Sequence, residues 1–279
     1  MLTDTLGEDV ATNGAAAIQV RDLTIAYQTG SPVLERVSLS VAAGEIVALV
    51  GASGCGKSTL LRAIAGLLQP QQGQVQFEPA LPQRSGSLAY VFQSATLLPW
   101  RTVDENIGLP LELGPSPHQL PSTPSRGARD DRPSAFSRRD AIAAARQAVG
   151  LADDAAGKFP RQLSGGMQMR TSIARGLVTD PSVLLLDEPF AALDEILRTK
   201  LNELLLELWQ SRPRTIVFVT HNVAEAIYLS HRVVVLGMGC VSQEIATDLP
   251  WPRQTNVRSS LEFAQLYGRV STALAEASS

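Results

Sequence analysis

The chain has few of the features that mark secreted, membrane-spanning or nucleic-acid-binding proteins. No apolar run among its 279 residues approaches the ~20 residues of a membrane-spanning helix, since the longest are strand-sized. It has two cysteines, Cys55 and Cys240, which argues against a disulfide framework and suits a reducing cytosol. The formal net charge of −3 gives no general attraction to nucleic acid. We therefore expect a cytoplasmic chain without a nucleic-acid partner, which can still dock on a membrane protein.

Two segments are poor in large apolar residues. Residues 1–17 contain Asp4, Glu8 and Asp9 but no basic cluster, so we expect a disordered lead-in rather than a signal or transit peptide. Residues 114–139 contain five prolines, five serines and five arginines, and we interpret them as a disordered insertion. A contact between the arginines of this insertion and phospholipid headgroups or RNA is the alternative.

The most informative motif is the glycine-rich segment 51–59, Gly-Ala-Ser-Gly-Cys-Gly-Lys-Ser-Thr. It follows the β-branched run 46–50 and precedes a helical pattern at 60–67, which is the context of a phosphate-binding loop at a helix N-terminus. The alternative is a glycine-rich turn that binds nothing. The predicted nucleotide-binding residues are Gly51, Ser53, Gly54, Cys55, Gly56, Lys57, Ser58 and Thr59.

Within this loop, Lys57 is expected to reach the β- and γ-phosphates and Ser58 a Mg²⁺ ion. Cys55 stands at a variable position, where a small residue that fills space is favoured over a reactive thiol. The loop alone does not separate kinases, GTPases and transport motors, because all of them use it.

The hydrophobic pattern predicts an α/β fold. Residues 18–41 alternate apolar and polar, which is typical of antiparallel strands. Residues 95–175 carry mainly helical patterns and are interpreted as an inserted helical subdomain. Continuous apolar strands at 183–186 and 215–219, separated by an amphipathic helix, predict a parallel sheet covered on both faces.

Further motifs follow the phosphate loop in a fixed order, and each resembles a motif of the ATP-binding cassette (ABC) ATPases. They are Tyr27 at the adenine-stacking position, Val91-Phe92-Gln93 as the Q-loop, Leu163-Ser164-Gly165-Gly166-Met167-Gln168 as the signature, Leu184-Leu185-Leu186-Asp187-Glu188-Pro189 as the Walker B strand, Ala192-Leu193-Asp194 as the D-loop, and Val219-Thr220-His221 as the switch histidine. The resemblance covers roughly residues 18–243. It implies a P-loop NTPase with a RecA-like core, an N-terminal antiparallel β subdomain and the helical insertion, in a domain of residues 18–250 followed by a tail of 251–279 with an amphipathic helix.

The residues at the strand ends have their own chemical logic. Asp187 ends a buried strand, where ligands of open α/β sheets bind, and is expected to hold Mg²⁺ through water, together with Ser58 and Gln93. Glu188 is expected to accept a proton from the attacking water. His221 is placed to hydrogen-bond the γ-phosphate and the attacking water. Glu188, His221 and Gln93 are the predicted catalytic residues. The alternatives are an ordinary strand-end turn for the two carboxylates and a purely structural histidine.

The signature predicts a second anion site. Ser164 and Gly166 begin a helix, so a hydroxyl and backbone N–H groups face one spot. By resemblance, this spot closes over the ATP held by another subunit, with Gly165 and Asp194 also near that nucleotide. The implication is a head-to-tail dimer, formed with a second copy or a homologous subunit, that sandwiches two ATP molecules.

Two residues depart from the family pattern. Met169 stands where a polar glutamine is more common, and Asn222 follows the switch histidine where aspartate is more common. Neither change removes a group with a direct phosphate role, so we expect ATPase activity to be retained.

Residues 93–107 resemble the stretch with which importer ATPases grip a membrane permease, and Leu98-Pro99-Trp100 is similar to the nitrate, sulfonate, taurine and bicarbonate branch. Core packing of this cluster, which includes Leu97, is the alternative. The resemblance implies an ATPase, using ATP and Mg²⁺, at the cytoplasmic face of the membrane, partnered by a transmembrane permease and indirectly by a periplasmic solute-binding protein.

Three other functions remain in competition with this interpretation. A motor for a different solute would share every motif. A non-transport cassette protein acting on nucleic acid or ribosomes usually has a second cassette or a long coiled coil, and this chain has neither. A metabolite kinase would have no use for the signature.

Overall fold

A computed structural model of the chain describes residues 17–27, 30–81, 86–113, 135–191 and 193–278. Its first unit is a three-stranded antiparallel sheet in the order β2-β1-β4, formed by β1 (Ala17–Ile25), β2 (Leu34–Val41) and β4 (Gln72–Glu78). Alternate residues of β1 and β2 contribute to one buried cluster, as the alternating pattern predicts, except that the alternation is interrupted once in each strand, at 21–22 and at 35–36.

The second unit is a six-stranded sheet in the order β5-β6-β7-β3-β8-β9. Each pair of neighbouring strands in this sheet is parallel, except the pair β8 and β9, which is antiparallel. Its strands are β3 (Ile46–Gly51), β5 (Leu88–Val91), β6 (Val183–Asp187), β7 (Thr215–Val219), β8 (Arg232–Gly237) and β9 (Cys240–Ala246).

The described part of the chain contains seven α-helices. They are α1 (Lys57–Ile64), α2 (Val103–Glu112), α3 (Ala135–Ala148), α4 (Gly165–Leu177), α5 (Glu195–Ser211), α6 (Val223–Leu229) and α7 (Leu261–Ala277). None of these helices is long and apolar enough to cross a membrane.

The central strands are buried on both faces. Val47 and Leu49 of β3 join the cluster formed with α1 and the antiparallel sheet, whereas Ala48 and Val50 join the cluster formed with the other helices. Because successive strand residues point to opposite faces, a continuous apolar strand has to be covered twice. The predicted α/β fold is therefore confirmed.

The helical insertion lies between β5 and β6 and contributes α2, α3 and α4. Helix α3 begins at Ala135, so residues 135–139, which were predicted to be disordered, are helical. The predicted lead-in and the rest of the predicted loop, residues 1–16 and 114–134, lie outside the described residues. Ala17, assigned to the lead-in, begins β1.

Helix α7 packs its apolar stripe into the same core as the central strands, through Phe263, Leu266 and Val270. Tyr267, on the same helix, stays half exposed. The C-terminal helix therefore packs as part of the same domain.

Candidate active site

The phosphate loop connects the end of β3 to the start of α1. Gly56, the residue before the helix, has a φ of 102°, and a Cβ there would lie 2.5 Å from Leu34 Cδ2. No side chain caps α1. The N–H groups of its first turn, which have no partner within the helix, therefore face the loop, and the helix dipole adds positive potential at the same place.

The loop encloses a pocket of about 400 Å³. Its lining combines loop residues with two strand-end side chains: Gly51, Ser53, Gly54, Gly56, Lys57, Ser58, Thr59, Glu188 and His221. Lys57 is buried, and its ammonium donates hydrogen bonds to the carbonyls of Gly51 at 2.9 Å and Ala52 at 2.7 Å. The cradle thus has the size, the backbone donors and the cation that a polyphosphate requires.

Cys55 does not line this pocket. Its side chain is buried behind the loop, 3.8 Å from the Lys57 ammonium, and a Cβ added to Gly51 would lie 2.7 Å from its sulfur. The Cys55 side chain thus fills the space beside Gly51, which has no room for a side chain of its own.

Asp187 lies at the end of β6 with one partner on each carboxylate oxygen. The Ser58 hydroxyl donates to Oδ1 at 2.7 Å and the Tyr90 hydroxyl donates to Oδ2 at 2.8 Å. Asp187 is only 4% exposed, so it requires such partners. Burial and the bond to Asp187 raise the pKa of Tyr90 well above its usual range.

Ser58 and Asp187 bring together oxygen ligands of the kind that Mg²⁺ prefers, beside a cradle for phosphate. The Tyr90 contribution was not predicted from the sequence, and neither was Arg62, whose Nη2 lies 3.9 Å from Asp187 Oδ2. The register that pairs β5 with β6 brings Tyr90 to this place, and no local pattern encodes that register.

Glu188 brings the other two predicted catalytic residues together. Gln93 Nε2 donates to Glu188 Oε2 at 3.2 Å, and His221 Nδ1 lies 3.5 Å from the same oxygen. Glu188 has a φ of 47°, a conformation that is unfavourable for a non-glycine residue, and its N–H donates to the Val219 carbonyl at 3.1 Å. The ends of β5, β6 and β7 thus bring an amide, a carboxylate and an imidazole to one edge of the sheet.

Tyr27 lies beside the start of α1. Its hydroxyl is 3.3 Å from Thr59 Oγ1, and its side chain is 49% exposed. An aromatic ring next to the phosphate loop offers a surface on which a flat base can stack.

The signature lies apart from this pocket. Ser164 caps α4 by accepting from the Met167 N–H at 3.3 Å, and Gly166 packs so closely on α5 that a Cβ would lie 2.1 Å from Leu197 Cδ2. Asp194 caps α5 by accepting from the Leu197 N–H at 2.9 Å. Ser164, Gly165 and Asp194 are exposed and are not among the residues that line the pocket.

Both departures from the family pattern have a structural role. Asn222 caps α6 by accepting from the Glu225 N–H at 3.1 Å, and asparagine is as good a cap as aspartate. Met169 is buried in the core of the helical insertion.

Comparison of the sequence with known proteins identifies relatives named for ATP binding, which agrees with this geometry. A family model for ABC transporters matches residues 34–191, which is more than half of the chain. The "Aliphatic sulfonates import ATP-binding protein SsuB" of Rhodopseudomonas palustris is 40% identical over 257 residues, covering 92% of this chain and 82% of that protein. "SsuB 1" of Pseudomonas syringae pv. syringae, described in the same words, is 44% identical over 226 residues, with coverages of 80% and 83%.

Solved structures give the same result. The dimeric ATP-binding cassette MJ0796, bound to ADP and Pi after hydrolysis, is 31% identical with a TM-score of 0.69, and the match covers 84% of this chain and 100% of that one. The resemblance inferred from the signature and the strand-end carboxylates is confirmed across most of the chain, and this protein belongs to the ABC transporter family as one of its ATP-binding subunits.

Proposed function

We propose that this chain is the ATPase subunit of an importer of small organic sulfonates and works at the cytoplasmic face of the membrane. The observation that carries the proposal is the 40% and 44% identity to two proteins named for aliphatic sulfonate import, over most of each chain. Nitrate, which the sequence also suggested, has no such support. Taurine is itself a sulfonate and falls within the proposed class, but neither of these relatives is named for it. Because an ATPase subunit does not contact the transported solute, the solute is inferred from the relatives of this chain.

In this proposal the phosphate loop and Lys57 hold the β- and γ-phosphates of ATP. Ser58, Asp187 and Gln93 hold Mg²⁺, which neutralises charge that develops on the phosphates. Tyr27 stacks on the adenine ring. The hydrogen bond from Tyr90 fixes the Asp187 carboxylate in place.

Glu188 is then the general base. Its carboxylate takes a proton from water as the water oxygen attacks the γ-phosphorus and the bond to ADP breaks. Gln93 and His221 flank the same Glu188 oxygen and are placed to orient the water and the γ-phosphate.

The signature completes the site of a second subunit. Ser164 and Gly165 are exposed at the start of α4, outside the pocket of their own chain. A head-to-tail dimer with a second copy or a homologous subunit puts this helix start onto the γ-phosphate of the partner's ATP. The similarity to a dimeric cassette supports this arrangement.

The permease contact is assigned to the segment around Trp100, which is 70% exposed. Leu97 instead packs against the core. Buried Asn106 holds the segment rigid, because it accepts from the Leu98 N–H at 2.8 Å and donates to the carbonyls of Leu98, Arg101 and Thr102. A rigid exposed aromatic residue is typical of an interface anchor.

We expect Trp100→Ala to weaken co-purification with the permease and to uncouple transport, while the basal ATPase rate and the melting temperature of the isolated subunit stay unchanged. Tyr267→Phe is the control on a surface that the proposal does not use. A large loss of thermal stability in Trp100→Ala would instead show that Trp100 is a packing residue.

The solute is tested genetically. Deleting the gene in its own host should abolish growth on an alkanesulfonate as the sole sulfur source and leave growth on sulfate intact. The wild-type gene should restore growth, and the Glu188→Gln gene should not. Unimpaired growth of the deletion strain on sulfonates, combined with loss of uptake of another solute, would contradict the sulfonate assignment but not the ATPase assignment.

A further inference from the structure

A buried carboxylate lies directly behind the switch histidine. Glu225, in the first turn of α6, is 4% exposed, and burial raises the pKa of its carboxyl. Helix capping does not explain it, because Asn222 already supplies the capping oxygen of α6. A carboxylate that is buried at an energetic cost, and is not needed as a cap, requires another explanation.

One oxygen of Glu225 is tied to Thr220, directly before His221, and through the Thr220 hydroxyl to Asn222, directly after it. The Thr220 hydroxyl donates a short hydrogen bond to Glu225 Oε2, and the same hydroxyl accepts from the Asn222 N–H at 3.0 Å. The Glu225 N–H in turn donates to Asn222 Oδ1 at 3.1 Å. The carboxylate therefore holds the Thr220 hydroxyl, and this hydroxyl in turn holds the backbone from 220 to 222 that carries the imidazole toward Glu188.

The other oxygen faces Asn202 of α5. With its amide nitrogen toward Glu225, Asn202 donates to Oε1 at 3.2 Å, and its amide oxygen accepts from Arg258 Nη2 at 3.2 Å. In this orientation the Asn202 amide forms a hydrogen bond with each of its two neighbours, Glu225 and Arg258. Asn202 is 1% exposed, and the Arg258 guanidinium lies over the Tyr228 ring at 4.3 Å.

We propose that Glu225 is a positioning residue that fixes His221 for ATP hydrolysis, and that Asn202 and Arg258 connect the C-terminal segment to it. A carboxylate has only acceptor oxygens, so it can receive the Thr220 hydroxyl and the Asn202 amide at the same time. The chain Arg258, Asn202, Glu225, Thr220 runs from the turn before α7 to the switch histidine through hydrogen bonds alone. The inference rests on the proposed role of His221.

The order of donors and acceptors in this series of hydrogen bonds provides a sharp test. If the glutamine oxygen keeps the Thr220 hydroxyl, Glu225→Gln presents an amide nitrogen to the Asn202 nitrogen, and if Asn202 then turns over, its nitrogen faces the Arg258 donor. If the glutamine turns over instead, its nitrogen faces Thr220, and the Thr220 hydroxyl loses its acceptor. Adding Asn202→Asp restores every donor and acceptor, because the new carboxylate accepts both from the introduced amide at position 225 and from Arg258. The charge of the pair is also restored, on the other residue.

We expect Glu225→Gln to lower kcat by about 10- to 100-fold, as displaced catalytic groups do. The KM for ATP should change less than about 2-fold, because the phosphate loop is untouched. Glu225→Gln with Asn202→Asp should recover most of kcat. Glu207→Gln, the same substitution on the exposed face of α5, is the control and should keep the wild-type kcat.

A merely structural network would move the melting temperature but leave kcat of the folded protein unchanged, well below that temperature. That result overturns the proposal, and so does a double variant no faster than Glu225→Gln. If Glu225→Gln does not fold, Thr220→Val and Thr220→Ser replace it, since valine removes the hydroxyl and serine keeps it. Equal kcat in these two variants likewise overturns the proposal.

Two further variants separate the inference from its premise. His221→Ala should lose most of its turnover, and full turnover there would refute the role of His221 itself. Loss in His221→Ala with full turnover in Glu225→Gln would refute only the positioning role. Arg258→Met should reduce kcat less than Glu225→Gln does. An unchanged kcat would show that the C-terminal segment has no part in positioning His221.

Discussion

Helices α1 and α4 both begin next to glycines, yet their starting points are built differently. At α1 the preceding residue is Gly56, no side chain caps the helix, and the loop is enclosed in a pocket with Glu188 and His221. At α4 the Ser164 hydroxyl caps the first turn, and Gly165 has no atom within 4 Å of an added Cβ. One helix start is enclosed and the other is open.

The contrast shows how two similar local motifs can share one reaction. The enclosed start has a lysine, a carboxylate and a histidine around it, which are groups suited to binding a polyphosphate and to activating water. The open start offers a hydroxyl and backbone N–H groups. It is therefore suited to cover a phosphate that is already bound elsewhere.

The largest expected effect concerns the chemistry of the enclosed site. Glu188→Gln keeps the size of the side chain and removes the base, so ATP hydrolysis should slow by about 10²–10⁴-fold while ATP binding persists. Single-turnover hydrolysis and nucleotide titration of the purified variant measure the two quantities. Turnover near the wild-type rate would show that another group accepts the proton.

The division of labour is tested by mixing two damaged subunits. Lys57→Ala in the enclosed site and Ser164→Arg at the open one should each be nearly inactive. In the head-to-tail heterodimer, one site pairs both lesions and the other pairs two intact halves. Half of randomly mixed dimers are heterodimers with one of two sites intact, so about a quarter of wild-type activity should return if sites act independently.

The control for this experiment is verified subunit exchange. If the mixed subunits hydrolyse ATP no faster than either variant alone, then either the two ATP sites work only when both are intact, or the head-to-tail dimer does not form. A cross-link between residues that flank Ser53 and Ser164 of different subunits separates these outcomes, because it should form with ATP only when the sandwich forms.

The sequence predicted the site residues that belong to local motifs. A phosphate loop, a strand-end carboxylate pair and a capped helix start each depend on residues a few positions apart, so their pattern is visible in the chain itself. The alternation of apolar residues likewise predicted the antiparallel sheet, and the continuous apolar runs predicted the parallel one.

Residues that act through long-range pairing were missed. Tyr90 meets Asp187 across 97 positions of sequence, and Asn202 meets Glu225 between two helices. These contacts depend on strand register and helix packing, which no local pattern specifies. The predicted disordered insertion was extended too far, to residue 139, because residues 135–139 continue a stretch rich in proline, serine and arginine whose composition is typical of disorder.

Two glycines test the enclosed and open environments directly. Gly56→Ala places a Cβ at 2.5 Å from Leu34 Cδ2 on a backbone with a φ of 102°, so it should destabilise the fold by about 2 kcal/mol and lower the melting temperature by several degrees. Gly165→Ala adds a Cβ in open space and should leave the melting temperature unchanged within about 2 °C. Thermal melts without nucleotide make the comparison, and equal losses in both variants would contradict it.

The smallest expected effect concerns the support of Asp187 in the enclosed site. Tyr90→Phe keeps the ring and its contact with Phe92, with ring centroids 4.6 Å apart, but removes the hydrogen bond to Asp187 Oδ2. Loss of one such bond costs about 1 kcal/mol, so the apparent affinity for Mg²⁺ should fall about 5-fold while kcat at saturating Mg²⁺ stays nearly the same. Titration of ATPase activity with Mg²⁺ measures this, with Tyr267→Phe as the control for loss of a tyrosine hydroxyl outside the site. An unchanged titration would show that the Ser58 hydroxyl is enough to orient Asp187.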